Sequence, residues 1–275
     1  MQAGLGVLAV MRDEALHLAR FLGLMEQLER CPDLGGVFCS FYENDSIDGT
    51  PDQLAAWLGH RPGSLITERF YEARSTGRQR CRTLRLAAAR NRALQPLLGL
   101  DLRWLLVIDV DLKIQIEQVL ELLKVLNRYQ EAAMVCASAM QNVPDVLGEG
   151  AWSYYDTWAL KDLAGHRGIT FAENPFRCWP DRWRWMAGIP VSVASAFGGM
   201  ALLPFPAVRR WNLHWDGELG CEHWQFCRGA RQAGLVLACP TVRPLQIQAP
   251  PLRWSLGYAQ RVHQQLASGL DALLR

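Results

Sequence analysis

Two carboxylates stand at the end of the most apolar run in the chain, Trp104-Leu105-Leu106-Val107-Ile108-Asp109-Val110-Asp111. Such a run reads as a buried strand over Trp104 to Val110, and a spacing of two puts Asp109 and Asp111 on the same face. In open α/β sheets the carboxyl ends of the strands are where ligands bind. Two ionised carboxylates side by side repel, and a partly buried pair stays ionised only with a cation between them. A hard divalent ion, Mn²⁺ or Mg²⁺, meets that need and leaves coordination positions for a diphosphate. A surface turn that happens to begin with aspartate is the plain alternative, because a DxD alone is common.

A second concentration of polar groups follows another apolar run, in Tyr42-Glu43-Asn44-Asp45-Ser46-Ile47-Asp48-Gly49-Thr50. Asn44, Asp45 and Asp48 offer acceptors for the N–H groups of a nucleobase or the hydroxyls of a ribose, and Gly49 lets the chain turn back closely. An ordinary Asx turn ahead of a helix explains the same residues without a ligand. The third place is Ala87-Ala88-Ala89-Arg90-Asn91-Arg92-Ala93-Leu94. Small residues let this helix sit close on a sheet while Arg90 and Asn91 project, and an arginine at a sheet edge can fork onto a phosphate or carboxylate. For Arg92 a solvated helix face is the better reading.

The elements that must hold these residues follow from periodicity. Strands are expected at Gly6 to Val10, Val37 to Tyr42, Ser64 to Glu68, Trp104 to Val110 and Ala132 to Ala139, with helices between them over Glu14 to Glu29, Pro51 to Leu58, Arg82 to Leu98 and Ile116 to Tyr129. Thr50 suits the N-cap of the second helix, and Pro96 frays or kinks the end of the third. Strands alternating with helices of this length mean a mostly parallel α/β sheet. Residues 141–190 show no clear period. Order resumes at Val191 to Ala196 and Met200 to Leu203, then in a helix opening near Glu222. An apolar stripe, Leu256, Ala259, Val262, Leu266, Leu270 and Leu273, predicts a C-terminal amphipathic helix over 246–275, packed on a domain of residues 1–245. Within that domain, the expected halves are about 1–140, which carries the three polar groups above, and about 141–245.

Composition narrows the class. The 275 residues carry 29 Lys and Arg against 27 Asp and Glu, a net charge of +2 that gives no polycationic field, so no nucleic-acid partner is expected. No apolar run reaches the length of a membrane span, and the first residues lack the basic and apolar regions of a signal peptide. The eight cysteines contain no CxxC pair, and several lie in apolar runs, as small buried hydrophobes in a reducing compartment do. The expected location is cytoplasmic, with peripheral attachment to the inner face of the membrane as a further option.

Taken in order, the acidic turn, the Ala-Arg-Asn helix and the strand ending in DxD resemble the nucleotide-sugar glycosyltransferases of the GT-A fold, a Rossmann-like sheet flanked by helices in a single domain. Tyr42 to Thr50, Ala89-Arg90-Asn91-Arg92-Ala93-Leu94, Tyr155-Asp156-Thr157-Trp158, Ser195-Ala196-Phe197-Gly198-Gly199 and Cys221-Glu222-His223 are similar to the fungal capsule-associated α-1,3-mannosyltransferase family, over about residues 5 to 245. The Asp109-Val110-Asp111 segment departs from it, the family being closer to Asn-Asp-Val there.

The resemblance implies a metal-dependent transfer of a sugar from a GDP- or UDP-linked donor to a glycan, lipid-linked or other hydroxyl acceptor, with retaining transfer from GDP-mannose as its specific form. Tyr42, Asn44, Asp45, Asp48, Arg90, Asn91, Asp109, Gly198 and Gly199 would then bind the donor. Asp109, Asp111 and His223 would hold Mn²⁺ or Mg²⁺. Tyr155, Asp156 and Trp158 would meet the acceptor or its sugar, and Glu222, with Asp216 as rival, would be the catalytic carboxylate. The Trp/Arg-rich stretch Phe176 to Trp185 is either an acceptor lid or a loop stapled down by its tryptophans. A catalytically degenerate GT-A domain that binds carbohydrate or a partner is the alternative. A sugar-nucleotide pyrophosphorylase would need a glycine-rich basic loop where Met11-Arg12-Asp13-Glu14 stands. An aspartyl-phosphate phosphohydrolase would carry its DxD on the first strand.

Overall fold

The computed structural model describes residues 4–71, 80–143 and 150–246. Its first half follows the expected alternation: β1 (Leu5–Met11), α1 (Ala15–Glu29), β2 (Val37–Asn44), α2 (Thr50–Leu58), β3 (Gly63–Glu68), α3 (Arg80–Leu98), β4 (Trp104–Ile108), β5 (Leu112–Lys113), α4 (Ile116–Arg128) and β6 (Ala132–Cys136). The second half holds β7 (Met140–Val143), β8 (Ala151–Tyr154), α5 (Trp179–Met186), β9 (Val191–Val193), β10 (Met200–Pro204), α6 (Phe205–Arg210), α7 (His223–Ala230), β11 (Leu235–Ala238) and β12 (Leu245–Gln246).

One sheet of eight strands runs in the order β3-β2-β1-β4-β10-β6-β11-β9. β3, β2, β1 and β4 are parallel neighbours. β10 is antiparallel to β4 and β6, β11 is parallel to β6, and β9 is antiparallel to β11. The mostly parallel sheet expected from the alternation is therefore present. A smaller sheet, β5-β12-β7-β8, stands beside it.

Alternation along the strands explains why both faces are covered. In β1, Leu5, Val7, Ala9 and Met11 join the cluster built by Leu18, Phe21 and Met25 of α1 and Val119 and Leu122 of α4. Leu8 points the other way, into the cluster of Ala93, Leu94 and Leu97 from α3 and Phe226, Cys227 and Ala230 from α7. Each fully buried Leu or Phe contributes about 1.5–3 kcal/mol to this double core. The sheet is thereby held rigid, and its carboxyl edge can carry a site.

Several boundaries differ from the sequence reading. β4 stops at Ile108, because the Asp109 N–H donates to the Gly199 carbonyl (2.9 Å) and the chain then turns toward β5 in the smaller sheet. Asp109 and Asp111 thus both lie beyond the strand, and strand alternation does not place them. β6 likewise ends at Cys136, short of Ala139. Thr50 is the first residue of α2, not its side-chain cap; its Oγ1 accepts the Glu14 N–H at 2.8 Å instead. α3 runs through Pro96 to Leu98. The Trp/Arg-rich stretch contains α5, with Pro180 and Asp181 in its first turn and Arg184 in its last, as the dipole favours. Trp185 staples it by edge-on contacts with Tyr154 and Phe176 at 5.8 and 5.5 Å, while Trp179 and Trp183 are exposed. The helix expected over 246–275 lies outside the described residues, apart from Gln246, which closes β12. No helix among the described residues is long and apolar enough to cross a membrane.

Candidate functional site

The site is assembled around one guanidinium. Arg90 leaves α3 at a buried position, donates from Nη1 to Glu222 Oε1 at 2.6 Å and from Nη2 to Asp109 Oδ1 at 3.2 Å. Its Cζ lies 5.4 Å from the centre of the Phe197 ring. Arginine suits the place because its rigid fork satisfies two carboxylates at once. The side chains of Arg90 and Glu222 are each only 5% exposed, whereas that of Asp109 is 25% exposed. Arg90 therefore reaches solvent-accessible chemistry through Asp109, not directly.

Asp111 follows in the turn, half-buried, and its charge is felt by Arg20, which α1 sends across to donate to the Val110 carbonyl at 3.3 Å. Asp156 approaches from the β8 side, where its Oδ2 accepts the Gly198 N–H at 3.0 Å and its Oδ1 the Ala159 N–H at 3.2 Å. Four carboxylates, those of Asp109, Asp111, Asp156 and Glu222, thus converge on a region whose buried cation is Arg90. The consequence is visible at Asp109. Burial, then the charges of Asp111, Asp156 and Glu222 working against Arg90, push its carboxyl up to about 8. Asp156 is also raised, by burial first and by Glu222 among its neighbours.

Glu222 is the N-cap residue of α7. Behind it, the His223 ring stacks on Phe197 with centroids 4.0 Å apart and planes at 15°. The Trp215 indole N–H donates to His223 Nδ1 at 3.3 Å, and an indole N–H can only donate. The neutral ring therefore carries its proton on Nε2, 3.6 Å from Glu222 Oε1. Burial, reinforced by Arg90, holds His223 well below its usual pKa. Among the described residues no three His, Cys, Asp or Glu side chains gather as a ready-made metal set. The expected trio of Asp109, Asp111 and His223 is thus not assembled, because His223 is enclosed between Phe197, Trp215 and Glu222. The acidic pair itself fits a hard divalent ion: its donors are carboxylate oxygens, and the local charge is in anionic excess.

The acidic turn after β2 serves the loop beside it. Asp45, with φ of 53°, accepts the N–H groups of Phe70 and Tyr71 at 2.7 and 2.9 Å on Oδ1, and Asn44 Nδ2 at 3.0 Å on Oδ2. Burial would raise its carboxyl, but these donors and Arg12 bring it below the usual range. Asp48 accepts the Thr50 N–H at 2.9 Å and the Ala15 N–H at 3.0 Å, so the Asx-turn alternative describes it. Tyr42 donates to Glu68 at 2.7 Å. Asn91, expected to face the donor, has both ends of its amide on the Trp215 backbone, at 2.8 and 2.9 Å. Asp216, half-buried in the loop ahead of α7, accepts the Glu218 N–H at 2.8 Å.

Gly198 and Gly199 owe their type to the backbone. Both have positive φ, 60° and 77°, and an added Cβ would meet Ala137 O and Leu112 Cδ1 respectively, each at 1.9 Å. Tyr155 is tied by its N–H to the Ala139 carbonyl at 2.8 Å, and the Trp158 carbonyl accepts the Trp224 indole N–H at 3.1 Å. Three contributors escaped the sequence reading: Arg20, Cys221, whose thiol lies 3.7 Å from Glu222 Oε2, and the aromatic stack of Trp215 on Phe226. Only Cys221 had a signal, its place inside the Cys221-Glu222-His223 motif.

The family model described as Cryptococcal mannosyltransferase 1 matches residues 7–230 of the chain. No curated protein matches. Among solved structures, the mannosyltransferase PcManGT from Pyrobaculum calidifontis, in complex with GDP-Man and Mn²⁺, is similar with a TM-score of 0.56 and 16% identity over 98% of this chain. Residues 1–349 of S. aureus TarS in complex with UDP-GlcNAc are similar with a TM-score of 0.54 and 11% identity over 92% of this chain. A further TarS 1–349 structure has a TM-score of 0.52 and 12% identity. The chain spans 65% of the PcManGT chain and 60% of the TarS one. At these identities the likeness is one of fold, and the fold is that of GT-A glycosyltransferases.

Proposed function

The chain belongs to the family described as Cryptococcal mannosyltransferase 1, and from that premise we propose that it is a glycosyltransferase moving mannose from GDP-mannose to a hydroxyl acceptor, with retention. The observation that carries the reading is the convergence of Asp109, Asp111, Asp156 and Glu222 at the sheet's carboxyl edge with Arg90 as the buried cation. Such an excess of anionic oxygen suits a divalent cation, and only through that cation would it suit a diphosphate.

Asp109 and Asp111 would hold Mn²⁺ or Mg²⁺, which when bound supplies charge stabilisation to the departing diphosphate. Arg90 acts through Asp109 and is a positioning residue. Glu222, locked to that guanidinium, anchors Arg90 in turn. In the transfer the bond between the anomeric carbon and the phosphate oxygen breaks, and one to the acceptor oxygen forms. The acceptor's proton passes to the leaving phosphate. Were the outcome inversion, Asp216 would be the base. Asn44 and Asp45, at the end of β2, would face the nucleoside, and Tyr155, Asp156 and Trp158 the sugars.

The test is turnover of GDP-mannose, with UDP-GlcNAc as comparison, by the wild type and Asp111→Ala. The expected result is preference for GDP-mannose and a loss of at least about a hundredfold in the variant at an unchanged melting temperature. An unaltered rate would sink the assignment of the acidic pair. Absence of turnover with either donor would favour the carbohydrate-binding reading.

A further inference from the structure

The chain segments that carry Asp156, Phe197 and Glu222 also carry a group of opposite charge. The Lys161 ammonium sits 3.3 Å from the centre of the Trp224 ring, and the Arg167 guanidinium lies 4.8 Å from that centre. The ring is fixed in place by its indole N–H to the Trp158 carbonyl at 3.1 Å. Lys161 is fixed by the strand-like bridges of its backbone to Arg167 and Ser195, with Lys161 N donating to Ser195 O at 2.8 Å. Among the described residues neither cation has a carboxylate within ion-pair distance. The nearby Asp162 is occupied by the backbone N–H and the ring of His166, at 2.8 and 3.0 Å.

Lys161 is half-buried and Arg167 exposed, so two cations without a carboxylate partner among the described residues stand on one ring where an anion from solvent can reach them. Burial, and then the charge of Arg167, lower the Lys161 pKa. The indole face offsets part of the repulsion between them, and an oxyanion would offset more of it through charge-assisted hydrogen bonds. The place is suggestive as well. Trp224 follows Glu222 by two residues, Lys161 follows Asp156 by five, and Ser195 precedes Phe197 by two. The basic pair is therefore mounted on the acceptor-side segments, whereas Asp109 and Asp111 belong to the β4 turn.

We propose that Lys161, Arg167 and Trp224 form a subsite for an anionic group, phosphate or carboxylate, carried by the acceptor. This deepens the transferase reading and rests on it for the word acceptor. The bound oxyanion accepts from the ammonium and the guanidinium, both of which the Trp224 ring helps to hold in place. The acceptor is thus an acidic or phosphorylated glycan, not a neutral one.

The experiment is calorimetric titration of the full chain with mannose, mannose 6-phosphate and glucuronic acid, in the wild type and the Lys161→Gln/Arg167→Gln variant. GDP with Mn²⁺ is titrated in parallel. The expected result is that at least one acidic sugar binds about tenfold more tightly than mannose, and that the variant loses this preference while GDP binding is unchanged. Gain with the phosphate alone identifies a phosphorylated acceptor; gain with the uronate alone identifies an acidic sugar. Equal affinity for all three sugars, or an undiminished preference in the variant, overturns the subsite. If the acidic preference is present but GDP with Mn²⁺ does not bind, the subsite stands and the transferase reading fails.

Discussion

Arg90 shows how a residue's type can be legible while its task is not. An arginine between small helical residues is expected to fork onto a phosphate or a carboxylate, and it forks onto the carboxylates of Asp109 and Glu222. Arg90 and Glu222 are 132 positions apart, and nothing local in either segment announces the pair. Asn91 and Asp48 were picked out for their polar groups, which backbone N–H and C=O groups consume. His223 offers a test at this scale. The folded chain keeps its ring neutral, whereas the unfolded chain takes up a proton near the ordinary histidine value of about 6.5. The group's folded pKa being depressed, its penalty is absent above that value and grows as pH falls below it, by up to about 1.4 kcal/mol per pH unit. Melting curves between about pH 6.5 and pH 5 should therefore fall less steeply for His223→Gln than for the wild type, whatever their starting points. Equal slopes would mean that His223 is not buried neutral.

Elements that form a continuous apolar run or a helical apolar stripe are readable in the sequence, and those that form neither are not. β1, β2 and β4 are apolar runs, α1 and α4 carry apolar stripes at helical spacing, and their limits differ from expectation by a few residues. β5, β7, β8 and β12 hold two to four residues each, too few to show a period. α5 hid because two of its three tryptophans face solvent, so its apolar residues draw no inward stripe. The turn at Phe197-Gly198-Gly199 couples β10 to the site, since the Gly198 N–H holds Asp156 and the Gly199 carbonyl holds Asp109. Gly198→Ala must place its Cβ against Ala137 O in a left-handed backbone. The expected cost is about 3 kcal/mol, or about 6–12 °C in Tm. Gly23→Ala is the matched control: α1 leaves open space there, and Tm should rise by about 1–4 °C. A small loss at Gly198 would show that the turn yields without strain.

At the scale of the whole molecule, alternation of strand and helix predicted a mostly parallel sheet, and the ordered motifs resembled one family. Both agree with the eight-stranded sheet and with the family model over residues 7–230. What composition could not reveal is that a chain of net charge +2 separates its charges locally. Four carboxylates gather about Arg90, and Lys161 and Arg167 gather on Trp224. The carboxylate side of that separation is the proposed diphosphate site at the end of β4, which would require a cation. It is tested most directly by thermal shift with GDP, UDP, ADP and CMP, each with and without Mn²⁺. Binding to the folded state at a hundredfold excess over Kd adds about 2.7 kcal/mol of stability. The expected result is a rise with GDP that needs Mn²⁺ and is lost in Asp111→Ala. A chain that melts at the same temperature with every nucleotide, with or without the metal, would contradict it.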